Sequence, residues 1–100
     1  MEGYSVRIMP SAQIDALDVV DYVNTLAPEA AEQYFNLLVE KVTSLSKTPE
    51  VCSLSRDTQL RIRGYRAMPV NDYIVFYAIS GKTVEIRRIL YGKRQYEQLY

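Results

Sequence analysis

Tyr73-Ile74-Val75-Phe76-Tyr77-Ala78-Ile79 contains no charge, glycine or proline, and every residue in it is aliphatic or aromatic. β-Branched and aromatic side chains favour a pleated surface. Because both faces of a period-two reading are apolar, this is a central strand, covered at least in part on both sides. It is also the longest apolar run in the chain, far below the roughly 20 residues of a membrane helix. Just before it, Asn71-Asp72 is a two-residue turn of the hairpin type, so residues 60–70 are expected as the preceding strand. Just after it, Ser80-Gly81-Lys82 turns the chain again, and residues 83–90 form a last long strand. Here Val84 and Ile86 share a face with Glu85 and Arg87 opposite, yet Ile89 falls on the Arg87 face. Either a bulge near Arg87-Arg88 changes the register, or this strand too is partly covered on both faces. Gly92 permits a break, and residues 93–100 could form a short terminal helix.

Upstream the period changes. Residues 4–9 alternate, with Val6 and Ile8 on one face, and read as a strand. Pro10 ends it, and Ser11 is placed to cap a helix. Ala12, Ala16, Val19, Val20 and Val23 make one helical stripe, with Asp15, Asp18 and Asp21 on other faces. Pro28 opens a second helix with Glu29 and Glu32 in its first turn. Its stripe is Ala31, Phe35, Leu38, Val42 and Leu45, and Pro49 stops it. Residues 50–58 are polar and aperiodic, hence a loop. The whole is a single α+β domain over residues 1–100: an N-terminal strand, a two-helix antiparallel hairpin, and a three-stranded antiparallel meander. They form one twisted sheet with the helices on one face. The open face would carry arginines and tyrosines.

The net charge of zero hides an asymmetry. Residues 1–50 hold three basic and eight acidic side chains, net −5, and residues 51–100 hold nine and four, net +5. This points to one acidic and one basic face, the latter suited to an acidic partner; the alternative is that the halves neutralise each other across the interior. The single cysteine, Cys52, rules out an internal disulfide and fits a reducing cytosol. The first residues carry neither a basic nor an apolar leader pattern. A cytoplasmic protein that does not engage a membrane is therefore expected.

Histidine is absent, so the usual neutral-pH acid–base and metal ligand is missing. No phosphate-binding glycine loop, Cys/His cluster or serine constellation is present. No cofactor or metal is expected. What remains is Arg61, Arg63, Arg66, Arg87, Arg88, Lys93 and Arg94, interleaved with tyrosines. Guanidinium forks grip phosphates or carboxylates, and tyrosine rings stack on bases. Against that, Arg88 between Ile86 and Ile89 is placed to pair with a half-buried carboxylate, and Tyr73 and Tyr77 belong to the core rather than to a stacking platform.

Gly64-Tyr65-Arg66-Ala67-Met68-Pro69-Val70-Asn71-Asp72-Tyr73-Ile74-Val75-Phe76-Tyr77, then Val84-Glu85-Ile86-Arg87-Arg88-Ile89-Leu90-Tyr91-Gly92-Lys93-Arg94, resembles the second half of the RelE/ParE toxin superfamily. Pro10-Ser11-Ala12, Asp15, Asp21-Tyr22-Val23 and Leu45-Ser46-Lys47-Thr48-Pro49 resemble its N-terminal hairpin. The resemblance spans nearly the whole chain. It implies the toxin of a type II toxin–antitoxin, or plasmid-stabilisation, module that inhibits bacterial growth, with a cognate antitoxin as partner.

The superfamily contains two activities: RelE-like members cut messenger RNA on the ribosome, and ParE-like members poison DNA gyrase. A RelE-like reading would make Arg66, Arg94 and Tyr100 catalytic, with Arg94 stabilising phosphate charge and Tyr100 assisting proton transfer or stacking on a base. Arg61, Arg63, Arg87, Arg88, Tyr91 and Lys93 would bind on the basic sheet face. However, Ile74 stands where RelE-type sites place an arginine, and Tyr91 replaces a common histidine. The pattern is closer to the ParE-like branch, with gyrase as expected target. An mRNA endoribonuclease and a degenerate toxin that only binds its antitoxin are the alternatives.

Overall fold

The computed structural model describes residues 3–55 and 58–92. Strand β1 (Ser5–Ile8) leads into helix α1 (Pro10–Leu26) and helix α2 (Pro28–Ser44). A short helix α3 (Thr58–Ile62) precedes strands β2 (Arg66–Val70), β3 (Tyr73–Ser80) and β4 (Thr83–Tyr91). The strands form one sheet in the order β1-β4-β3-β2. The last three are the expected antiparallel meander, and β1 joins it parallel to β4, ending where Ile8 lies opposite Ile86.

The helix hairpin is set by two prolines. Pro10 and Pro28 each occupy the first turn, where a missing N–H costs no hydrogen bond. Ala27 alone joins the helices; as a residue before proline it is held extended, with φ −159° and ψ 98°. Met9, not Ser11, is the N-cap of α1, because the helix starts earlier than the hydroxyl suggested. In α2 the buried stripe contains Tyr34 instead of Phe35, which is 47% exposed. The helix is rotated so that the Tyr34 hydroxyl donates to the Val70 carbonyl, 3.1 Å away. Ala12, Val19, Tyr34, Leu38 and Val42 pack on Met68, Val75, Tyr77, Ile86 and Ile89 as one core.

Residues 60–65 depart from the expected strand. Leu60-Arg61-Ile62 alternates, but the segment closes as a helical turn at Gly64, whose φ is +80°. Gly64 N–H donates to the Arg61 carbonyl and Tyr65 N–H to the Leu60 carbonyl, both at 2.9 Å. This is a Schellman closure, and Leu60 packs against Tyr65 as that motif favours. Strand β2 therefore begins only at Arg66. Leu60 and Tyr65 lie against Phe76, Leu90, Ala67 and Ile74, which point away from the main core by strand alternation. The second sheet face is thus partly covered, and β3 buries residues on both of its sides, with Val75, Phe76 and Tyr77 at most 1% exposed.

A bulge lies at the expected place. Phe76 is opposite Arg88 and Tyr77 opposite Ile86, leaving Arg87 as the extra residue. The expected terminal helix at 93–100 lies outside the described residues.

Candidate functional site

The arginines that the sequence marks as a surface are mostly engaged within the fold. Arg66 shares a face with Met68 and Val70, which are buried under the helices, and not with the second sheet face. Its Nη1 donates to the Cys52 carbonyl at 2.6 Å, pinning the loop after α2 to β2. Arg88 donates from Nε and Nη2 to the two carboxylate oxygens of Asp15, at 2.7 and 3.1 Å. That carboxylate also accepts the Ile89 amide at 2.9 Å. The hydrogen bond to Asp15 is the main reason that the Arg88 guanidinium holds its proton more tightly than usual. Arg87, on the bulge, pairs with Glu85 at 2.6 Å and lies 6.0 Å from the Tyr65 ring centroid. Arg61 Nε donates to the Ser55 carbonyl at 3.1 Å, and Arg63 is exposed in the turn after α3. Lys93, Arg94 and Tyr100 lie outside the described residues. Among the described residues, then, Arg66 lies on the helix side, Arg61, Arg63 and Arg87 stay near the second sheet face, and Arg88 starts opposite Phe76 on that second face and reaches to Asp15 of α1, whose carboxylate also takes the Ile89 amide.

The concave feature is elsewhere. A groove of about 710 Å³ runs between α1 and the end of β4, with Asp72 and Tyr73 closing one end. Its α1 wall is Asp15, Asp18, Val19, Tyr22, Val23 and Leu26, a helical stripe that overlaps the core stripe at Val19 and Val23. Tyr91 and Ile89 supply part of the strand side. A smaller hollow of about 370 Å³ continues from Val23 and Tyr73 towards α2. Tyr34, Tyr73 and Tyr91 form a row of rings, with centroids 5.8 and 5.7 Å apart and tilted or edge-on contacts. Burial is the main reason that the Tyr34 phenol is pushed up to about 12, with Tyr73 and Asp72 adding to it. Tyr91 is thus a site candidate that the fold places in the groove, beside residues the sequence did not single out. Sequence carried a faint signal for them: Asp18, Tyr22 and Leu26 repeat at i, i+4 and i+8 and have no place in the core stripe.

Among the described residues no three His, Cys, Asp or Glu side chains are grouped to hold a metal ion, and no helix is long and apolar enough to cross a membrane.

Residues 6–96 match the family model described as ParE toxin of the type II toxin–antitoxin system, parDE. The chain belongs to the ParE toxin family. Two solved structures show the same fold. One belongs to the chromosomal ParDE system from P. aeruginosa, at 22% identity and a TM-score of 0.75, covering 88% of this chain and 95% of that one. The other belongs to the RelBE2 toxin–antitoxin complex from Mycobacterium tuberculosis, at 25% identity and a TM-score of 0.61, covering 89% and 98%. A search of curated proteins finds no match. The ParE assignment agrees with the start of the central strand, where Ile74 and not an arginine succeeds Tyr73. The Ile74 side chain packs with Phe76 and Leu60 in the second apolar cluster.

Proposed function

We propose that this ParE-family chain is a toxin that arrests bacterial growth by binding and poisoning DNA gyrase, and that a cognate antitoxin holds it inactive. The observation that carries this reading is where the arginines go. A phosphodiester-cleaving site needs several cations aimed at one point, where charge develops in the transition state. Here the Arg66 guanidinium is tied to the Cys52 carbonyl on the helix side of the sheet, away from Arg61, Arg63 and Arg87, and the Arg88 guanidinium is engaged by both carboxylate oxygens of Asp15. Ile74 adds an apolar side chain, where the RNA-cutting branch of the superfamily would need a cation. Poisoning by protein–protein contact requires no such convergence. The antitoxin is implied by the type II assignment of the family.

The test is induction of the chain alone, with separate pulse-labelling of DNA and protein synthesis, and a supercoiling and cleavage assay on purified gyrase. The expected result is early loss of DNA synthesis and accumulation of cleaved gyrase–DNA complexes. Unaffected gyrase together with cut ribosome-bound messenger would overturn the reading in favour of the endoribonuclease. Normal growth would overturn it in favour of a degenerate toxin.

A further inference from the structure

We propose that the outer side of the α1–α2 hairpin, turned away from the sheet, is the surface with which this chain grips its protein target, and that it receives a helix whose apolar stripe is flanked by Lys or Arg. The proposal rests on the gyrase reading above and gives that contact a surface and a chemistry.

The apolar side chains come first. The core takes one side of each helix, with Ala12, Ala16, Val19 and Val23 on α1 and Tyr34, Leu38 and Val42 on α2. Beside these stripes, on the sides that face each other, lie Leu17 and Val20 on α1 and Phe35 and Val39 on α2. Ala27 alone joins the helices, so positions about equally far from it lie abreast: Val20 beside Phe35, and Leu17 beside Val39. Leu17 is 65% exposed, and Phe35 and Val39 are each 47% exposed. Ile14, one turn before Leu17, is 60% exposed and extends the row. A single exposed apolar residue needs no explanation, but an adjoining row along two helices marks a contact surface.

The backbone then selects the shape of the guest. Both elements here are helices, whose N–H and C=O groups are paired internally along their length. An extended guest would find no strand edge to join. A helix satisfies its own backbone and lays a ridge of side chains into the furrow between α1 and α2.

Charge selects its flanks. The two helices carry Asp15, Asp18, Asp21, Glu29, Glu32 and Glu40 against Lys41. Asp21 lies one turn after Leu17, Glu32 one turn before Phe35, and Glu40 next to Val39, so all three border the apolar row. Lys41, two positions past Val39, projects from the opposite side, at about 100° per residue. Asp21, Glu32 and Glu40 have no ion-pair partner among the described residues. An apolar row edged by unpaired carboxylates attracts Lys and Arg and repels nucleic acid. It also repels a second copy of itself, because a twofold dimer would set the same carboxylates against each other.

The experiment measures binding of the full chain to purified gyrase, beside the cleavage assay. No binding by the wild-type chain would remove the gyrase reading itself, and this proposal with it. Given binding, the Leu17→Ala, Phe35→Ala double variant should weaken it by about tenfold or more while melting as wild type. The Asp21→Lys, Glu32→Lys double variant should weaken it by about tenfold at low salt, and the difference should shrink as salt rises. Lys41→Ala, on the opposite side of α2, should leave it unchanged. Undiminished gyrase binding by both double variants would overturn the proposal and leave the gyrase reading standing. So would variants that lose the antitoxin yet still poison gyrase, or a wild-type chain whose self-association the same substitutions abolish. Hydrogen exchange on gyrase should show protection of a helix with basic residues beside its apolar stripe; protection confined to a strand or an acidic segment would overturn the proposal.

Discussion

Replacing Asp15 with alanine tests how this fold holds its bulged strand. The carboxylate accepts from Arg88 Nε, Arg88 Nη2 and the Ile89 amide at 2.7, 3.1 and 2.9 Å, and its side chain is 10% exposed. Truncation leaves the Ile89 N–H without its acceptor, at a cost of about 1–3 kcal/mol. It also strands a guanidinium. A fully buried pair broken in this way costs about 3–5 kcal/mol, but Arg88 is 30% exposed and water recovers part of that. The sum is about 3 kcal/mol, or a fall in Tm of roughly 12–24 °C for a domain of this size. Asp15→Asn keeps an acceptor for Ile89 and Arg88 Nε and loses the charge and the acceptor for Arg88 Nη2, so it should cost less than alanine, about half as much. The assay is urea unfolding of both variants and of Arg88→Met, closed as a double-mutant cycle, with hydrogen exchange at Ile89. Reasoning from this three-way contact is refuted if Asp15→Ala loses less than about 1 kcal/mol, or if the alanine and asparagine variants lose the same amount.

Other contacts give three more expected outcomes. Tyr34, pushed up to about 12 in the folded chain, ionises near its ordinary value of 10 when unfolded. Its contribution is thus complete below pH 10 and lost as pH rises towards 12, at about 1.4 kcal/mol per pH unit. Tyr77 shifts the same way, mainly by burial and next by the Cys52 thiol; unfolding titrations of Tyr34→Phe should show a shallower alkaline slope than wild type, and an identical slope would contradict the burial argument. Gly64→Ala should lose about 1 kcal/mol in chemical denaturation, wholly from the φ of +80°, since an added Cβ meets nothing within 4 Å. Arg66→Ala should cost about 1–2 kcal/mol through the lost bond to Cys52, yet keep its growth-arresting activity at temperatures where it is folded. A folded, non-toxic Arg66→Ala would instead point to a role in cleavage.

The sheet was legible because its decisive strand is apolar on both faces, which no surface strand tolerates, and because its seven residues are rich in β-branched and aromatic side chains and bounded by turn residues, which decides against a buried helix. The bulge was legible for a related reason: Ile86 and Ile89 have opposite parity, and a strand that buries both on one face must gain a residue between them. Residues 60–65 misled because two alternating apolar side chains fit a strand and a helical turn equally well over so short a span. The deciding element was Gly64, whose left-handed φ closes a helix and would break a strand. Phe35 misled differently. Tyr34 and Phe35 are adjacent, and hydrophobicity alone favours burying phenylalanine; the tyrosine is buried because its hydroxyl reaches the Val70 carbonyl, a partner 36 positions away in the chain. The arginines were the hardest to read, since a cation is assigned to a surface until its carboxylate or carbonyl is known, and Asp15 is 73 residues from Arg88. The groove shares that difficulty. It exists because β1 ends at Ile8 while β4 runs on to Tyr91, and the length by which one strand outruns its neighbour is set only when the sheet is assembled.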